Sequence, residues 1–188
     1  MDQPRFPGKH IYGGGFLARL DYAKSKHGSE GWDRLMSTMV ERGYNGPKNP
    51  QEFKLKDKYP LDSLIIFYES YRDIFGQDAF FRMSRSAPKK KGIVGWFMRW
   101  AATPDIVLNK AGEYWGHFYD FGRLEGELTG KNSGMLTGHD TFTTPLFCQG
   151  LTHYYLGVFD SINVSNGTCM HTDCVGNGDR FCRWEVGW

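Results

Sequence analysis

Four cysteines and six histidines are the side chains of this 188-residue sequence best suited to chemistry. Cys148, Cys169, Cys174 and Cys182 all stand near the C-terminal end, with His171 among them. Thiolate and imidazole both suit a borderline-soft cation, and a mixed Cys/His set is what a tetrahedral zinc ion takes. The spacing is not that of a compact zinc finger. Cys174 and Cys182 instead bracket the turn Gly176-Asn177-Gly178-Asp179, which puts them on adjacent strands, and Cys148 supplies a third thiol from a helix. Cys169 and His171 compete for the fourth position, because two residues apart on an extended strand they share a face. A disulfide is the alternative use of these thiols. Met1–Pro7 shows neither a signal nor a transit pattern, so the expected setting is cytoplasmic, where thiols stay reduced.

Other chemistry is thin. There is no Ser/His/Asp arrangement with a nucleophile elbow and no phosphate-cradling loop, and Gly13-Gly14-Gly15 lacks the strand and spacing of a dinucleotide motif. Glu125 and Glu127 alternate on a strand face expected to meet solvent. Four protein ligands would leave a metal no open position, so zinc here would serve structure and no enzyme is expected. A net charge of +2 gives no general attraction to nucleic acid, and Lys89-Lys90-Lys91 reads as a solvated turn. With 40% hydrophobic and 23% charged residues, the chain is too apolar for disorder and too interrupted by charge for a membrane span.

The elements that must hold these residues follow from periodicity. Phe16, Leu17, Leu20 and Ala23, then Trp32, Leu35, Met36, Met39 and Val40, predict two helices joined at Gly28 as a helical hairpin with Ser29 as N-cap. Tyr44 to Lys58 reads as an exposed loop. Leu61, Leu64, Ile65, Tyr68, Tyr71, Ile74 and Phe75 make a helix over 61–75, closed by Gly76. Phe80, Phe81 and Met83 lie on a short helix ending near Pro88. Ile93, Val94, Trp96, Phe97 and Trp100 form an apolar helical segment, and Thr103-Pro104 opens another carrying Val107, Ala111, Tyr114, Trp115 and Phe118, with a strand over Glu113 to Tyr119 as the alternative. Period two then takes over, with Leu124 and Leu128 facing the core and a second strand over Gly134 to His139. Pro145 opens a helix with Phe147, Leu151, Tyr154, Tyr155 and Val158, and strands over Ile162–Cys174 and Arg180–Val186 close the chain. The expected class is α+β: N-terminal helices packed on a C-terminal antiparallel sheet interrupted by one helix.

The run His171-Thr172-Asp173-Cys174-Val175-Gly176-Asn177-Gly178-Asp179-Arg180-Phe181-Cys182-Arg183-Trp184-Glu185-Val186, with Cys148 at a helix start, resembles the closing segment of the 4-vinyl reductase domain. That domain also forms the aromatic-sensing input modules of phenol- and xylene-responsive activators. The resemblance implies one zinc held by Cys148, Cys174 and Cys182, with His171 where the family has an acidic residue. Tyr59-Pro60-Leu61-Asp62 and Tyr114-Trp115 to Phe121-Gly122-Arg123-Leu124-Glu125 extend it, giving a single domain over 1–188 with a helical hairpin and loop over 1–58 and a 4-vinyl-reductase-like core over 59–188. Trafficking-particle subunits and, more loosely, haem nitric-oxide sensors share the implied architecture. The tyrosine, serine and arginine signature that holds haem propionates in the latter is not visible, so haem is not expected.

Aromatic residues are 16% of the chain, and many crowd between Trp96 and Phe121. In the resembling sensors this part of the chain borders the ligand, so the expected pocket takes Phe97, Trp100, Trp115, His117, Phe118 and Tyr154. The implied function is a non-enzymatic bacterial sensory or regulatory domain that binds a small apolar or aromatic molecule or an acyl chain, stabilised by zinc and pairing as a homodimer. A dry-cored interaction module and a tetrapyrrole-related enzyme or accessory factor are the alternatives.

Overall fold

In the computed structural model, residues 4–89 and 103–188 are described. The expected segment of Ile93, Val94, Trp96, Phe97 and Trp100 lies outside them, as do Lys90 and Lys91. The class is α+β, with helices in the N-terminal half and an antiparallel sheet interrupted by a helix in the C-terminal part. The chain folds as two compact units, one taking in Met1–Met83 with Phe118–Asp120 and the other Ser84–His117 with Phe121–Trp188.

In the first unit a short strand β1 (His10–Tyr12) pairs antiparallel with β2 (Lys58–Pro60). Between them runs α1 (Gly13–Glu41). The glycine triplet at its start has a packing role: the Gly13 and Gly14 amides donate to the Asp57 and Leu55 carbonyls at 2.9 Å, and a β-carbon on Gly13 would run into the Lys54 carbonyl. The loop backbone thereby caps helix amides that would otherwise lack partners. Instead of a hairpin capped by Ser29, α1 is one 29-residue element broken at Gly28, whose φ of 66° and ψ of −167° leave helical space and suit glycine. Phe16, Leu20, Ala23, Trp32, Leu35, Met36 and Met39 are buried as the stripe demands, whereas Val40 is 44% exposed.

The expected loop over 44–58 is anchored at two points. Tyr44 and Phe53 are buried, and the Tyr44 hydroxyl donates to the Pro47 carbonyl at 2.7 Å. Helix α2 (Leu61–Phe75) has the expected bounds, and Gly76, at φ 88°, ends it. A network of rings fills this unit: Phe16 meets Phe53 edge-on at 5.3 Å and Phe67 at 5.8 Å, Tyr68 meets Phe80 at 5.0 Å, and Tyr71 meets Phe75 at 4.9 Å. Buried Arg19 donates to the Tyr68 hydroxyl at 2.7 Å. Helix α3 (Gln77–Ser86) and a 3₁₀ turn (Ala87–Lys89) follow.

In the second unit Thr103 caps α4 (Pro104–Asn109), accepting from the Ile106 amide at 3.4 Å, and α5 (Ala111–Phe118) succeeds it. The single helix expected here is split at Lys110, whose φ of −104° and ψ of 8° interrupt the spiral. The sheet contains β3 (Arg123–Gly130), β4 (Ser133–His139), β5 (Thr168–Asp173) and β6 (Cys182–Gly187) in the antiparallel order β3-β4-β6-β5. Leu124 is buried, but Leu128, in regular register opposite Gly134 near the end of β3, is 40% exposed. Helix α6 (Pro145–Ser161) carries buried Phe147, Leu151, Tyr155 and Val158, with Tyr154 half-buried. The strand expected from Ile162 starts only at Thr168, because Ile162 is the C-cap of α6 and Asn163, at φ 63°, turns the chain.

Candidate metal centre

Each candidate ligand is placed by its own element. The Thr144 hydroxyl accepts from the Phe147 amide at 3.1 Å and starts α6 with Pro145, so Cys148 sits in the first turn, and Thr152 and Tyr155 follow it on the same helical face. On β6, Cys182 and Trp184 alternate inward and are both fully buried. His171 of β5 lies opposite Trp184 in the ladder and stacks on its indole at 4.8 Å with planes 16° apart. Strict alternation from His171 would turn Asp173 inward. An irregularity between His171 and Asp173 breaks that alternation, as bulges do, and Cys174 is buried instead. Cys174 is then fixed by its backbone: its amide donates to the Asp179 carboxylate at 2.8 Å, and its carbonyl accepts from the Asn177 amide at 2.8 Å.

One ligand atom from each of Cys148, His171, Cys174 and Cys182 lies within 4.8 Å of all the others. The Cys148 and Cys182 sulfurs are 3.8 Å apart, too far for a disulfide. That separation is the edge of a tetrahedron whose metal–sulfur bonds measure about 2.3 Å. All three thiols are buried, and the His171 Nε2 atom is buried without a hydrogen bond. A buried ring nitrogen without a partner beside three sulfurs is what a cation would satisfy. The hydrogen bond from Cys148, with help from His171, outweighs burial and pulls the Cys182 thiol down; that same contact and burial push Cys148 up. One member of the cluster is thereby predisposed to be a thiolate, the form that binds metal. Of the two competitors for the fourth position, His171 joins the group. Cys169 does not, and burial pushes its thiol up to about 12.

The residues expected to line a pocket are placed differently from one another. Trp115 is buried, and its indole N–H donates to the Phe121 carbonyl at 2.7 Å. His117 points to solvent, 59% exposed, with Glu113 at 4.0 Å. Tyr154 is half-buried and meets Tyr155 edge-on at 6.1 Å, while Phe118, half-buried, belongs to the first unit. Phe97 and Trp100 lie outside the described residues. The aromatic network around Phe16, Phe67 and Tyr71 was not anticipated as a cluster; the aromatic content of α2 was its only signal in the sequence.

No family model and no curated protein matches this chain. Solved structures do match it. One, described as "Modulating Heme Redox Potential Through Protein-Induced Porphyrin Distortion", has a TM-score of 0.64 at 12% identity over 93% of this chain and 97% of that one. An H-NOX protein from K. algicida gives 0.63 at 9% identity, covering 94% and 95%, and one from S. oneidensis gives 0.63 at 10%, covering 93% and 97%. The fold is similar to that of H-NOX domains. The resemblance to the 4-vinyl reductase domain is thereby corrected: its anchor was a short C-terminal segment, whereas the H-NOX likeness spans nearly the whole chain. Zinc as the cofactor that accompanies this fold is corrected as well, since the matching structures are described in terms of haem.

Histidine-ligated haem requires an imidazole placed at the iron and groups that hold the propionates. His10 pairs with Asp120 at 2.9 Å, His139 lies 3.4 Å from Glu125, and His117 is exposed. His27 stacks on Phe75 at 3.6 Å and shares a 2.8 Å hydrogen bond with Tyr71, and His171 belongs to the sulfur cluster. His153, half-buried on α6, has its pKa lowered by burial and by the nearby Arg85 cation. A tyrosine, a serine and an arginine do occur close together, at Tyr68, Ser70 and Arg72. They lie on α2, however, where Tyr68 is buried against Arg19, Ser70 is fully buried and Arg72 pairs with Asp73 at 2.8 Å. Among the described residues these three do not converge on an anion, and no histidine stands with a propionate-holding set that fits haem.

Proposed function

We propose that this chain is a non-enzymatic sensory domain for a small apolar molecule, built on an H-NOX-like fold and fastened in its C-terminal unit by a thiophilic metal ion on Cys148, His171, Cys174 and Cys182. The carrying observation is the convergence, within 4.8 Å, of four ligand atoms drawn from α6, β5, the turn after β5, and β6. A tetrahedral ion with four protein ligands has no vacant position, so its role is to tie helix to sheet. The sensory part of the reading is supported by the fold and by an aromatic content of 16%, which suits an apolar ligand. Native mass spectrometry of protein purified without added metal tests it. One ion per chain, released on acidification together with a retained small organic molecule, is the expected spectrum. The mass of the bare polypeptide alone would contradict the reading. Haemin added to the protein is expected to give no protein-bound Soret band.

A further inference from the structure

We infer that Trp184 and Thr152 are positioning residues of the metal centre, together setting the pose of the His171 donor; the inference rests on the metal reading above. A ligating histidine is usually oriented by a hydrogen bond from its second ring nitrogen to a carboxylate or carbonyl. Here the ring lies flat on the Trp184 indole, 4.8 Å between centroids and 16° between planes, while its buried Nε2, which no hydrogen bond engages, is the nitrogen left for the ion. The stack therefore fixes the plane of the ring that presents this donor.

The indole is held on its other sides. Its N–H donates to the Thr152 hydroxyl at 3.0 Å, and Tyr155 meets it edge-on at 5.5 Å. The Thr152 hydroxyl in turn donates to the Cys148 carbonyl at 3.1 Å. One hydroxyl thus accepts from the tryptophan that orients one ligand and donates to the backbone of another. The arrangement crosses from α6 to β6 to β5 and is fully buried at Trp184. Because Cys148 and Thr152 stand one turn apart on α6, a shift of that helix moves the sulfur and the indole support together.

Cobalt(II) titration of chelator-stripped protein, followed by its thiolate charge-transfer and d–d absorption, tests the inference. Wild-type protein is expected to bind one cobalt with a tetrahedral spectrum. Thr152→Val removes the hydroxyl with little change of shape, and Trp184→Phe removes the N–H and part of the stack. Each is expected to weaken cobalt binding about tenfold or more and to alter the d–d envelope. Thr152→Ser is expected to restore both, and Cys169→Ser, outside the cluster, to change neither. If wild-type protein takes up no cobalt, the metal reading itself fails. If it binds and both variants match it in affinity and spectrum, the positioning role alone is overturned. Should Trp184→Phe not fold, Thr152→Val and its serine rescue decide the matter.

Discussion

Replacing Cys182 by serine should unfasten the second unit by an amount that depends on whether metal is present. The ion would close the chain between Cys148 and Cys182, a separation of 34 residues. A cross-link closing a loop of that length stabilises a fold by about 3–4 kcal/mol through the entropy it removes from the unfolded chain. For a protein of this size that corresponds to a fall in melting temperature on the order of 10 °C. Removing the ion with a strong chelator should cost the wild-type protein the same amount. In chelator, Cys182→Ser should cost only about 1 kcal/mol, the ordinary price of a buried conservative change. The two perturbations are therefore non-additive, with a coupling of about 3 kcal/mol. Thermal unfolding followed by circular dichroism, for both proteins with and without chelator, measures the cycle. Equal effects of the substitution in both conditions, or a wild-type melting temperature indifferent to chelator, would refute the clamp.

Three other outcomes follow from the geometry. Thr144→Ala removes the cap that starts α6 one turn before Cys148 and should cost about 1 kcal/mol, read as a lower urea midpoint. Gly157→Ala places a β-carbon against the Arg85 carbonyl, so it should destabilise by about 1–3 kcal/mol, whereas helix propensity alone would favour alanine. Asp120 is raised by burial, but Lys58 and His10 outweigh that and hold it below the ordinary carboxylate range. A carboxyl with a depressed folded-state pKa stabilises the fold above its unfolded value, and that contribution is lost as pH falls through the folded value. Wild-type protein should therefore lose this share below about pH 4, and Asp120→Asn should flatten that part of a stability–pH curve measured by urea unfolding.

Much of the architecture was readable where one signal dominated. Helix α2 has its expected bounds because seven apolar residues share a face and Gly76 ends it, and the start of α6 was marked by Pro145. The four cluster residues were readable because a turn brings Cys174 and Cys182 together and a helix start carries Cys148. That His171, with Cys169 left out, completes the group depends on the ladder irregularity after His171, which the local sequence does not encode. The break at Lys110, the exposure of Leu128 and the anchoring of the 44–58 loop by Tyr44 and Phe53 are likewise settled by tertiary packing over local pattern. The kinship was misread for a related reason. At 9–12% identity to the matching structures, the likeness to H-NOX domains resides in the path of the chain.

X-ray absorption at the metal edge of protein purified without added metal tests the central claim most directly. The account predicts a stoichiometric ion with three sulfur neighbours at about 2.3 Å and one nitrogen at about 2.0–2.1 Å. An ion surrounded only by oxygen and nitrogen, or no stoichiometric ion at all, would contradict it.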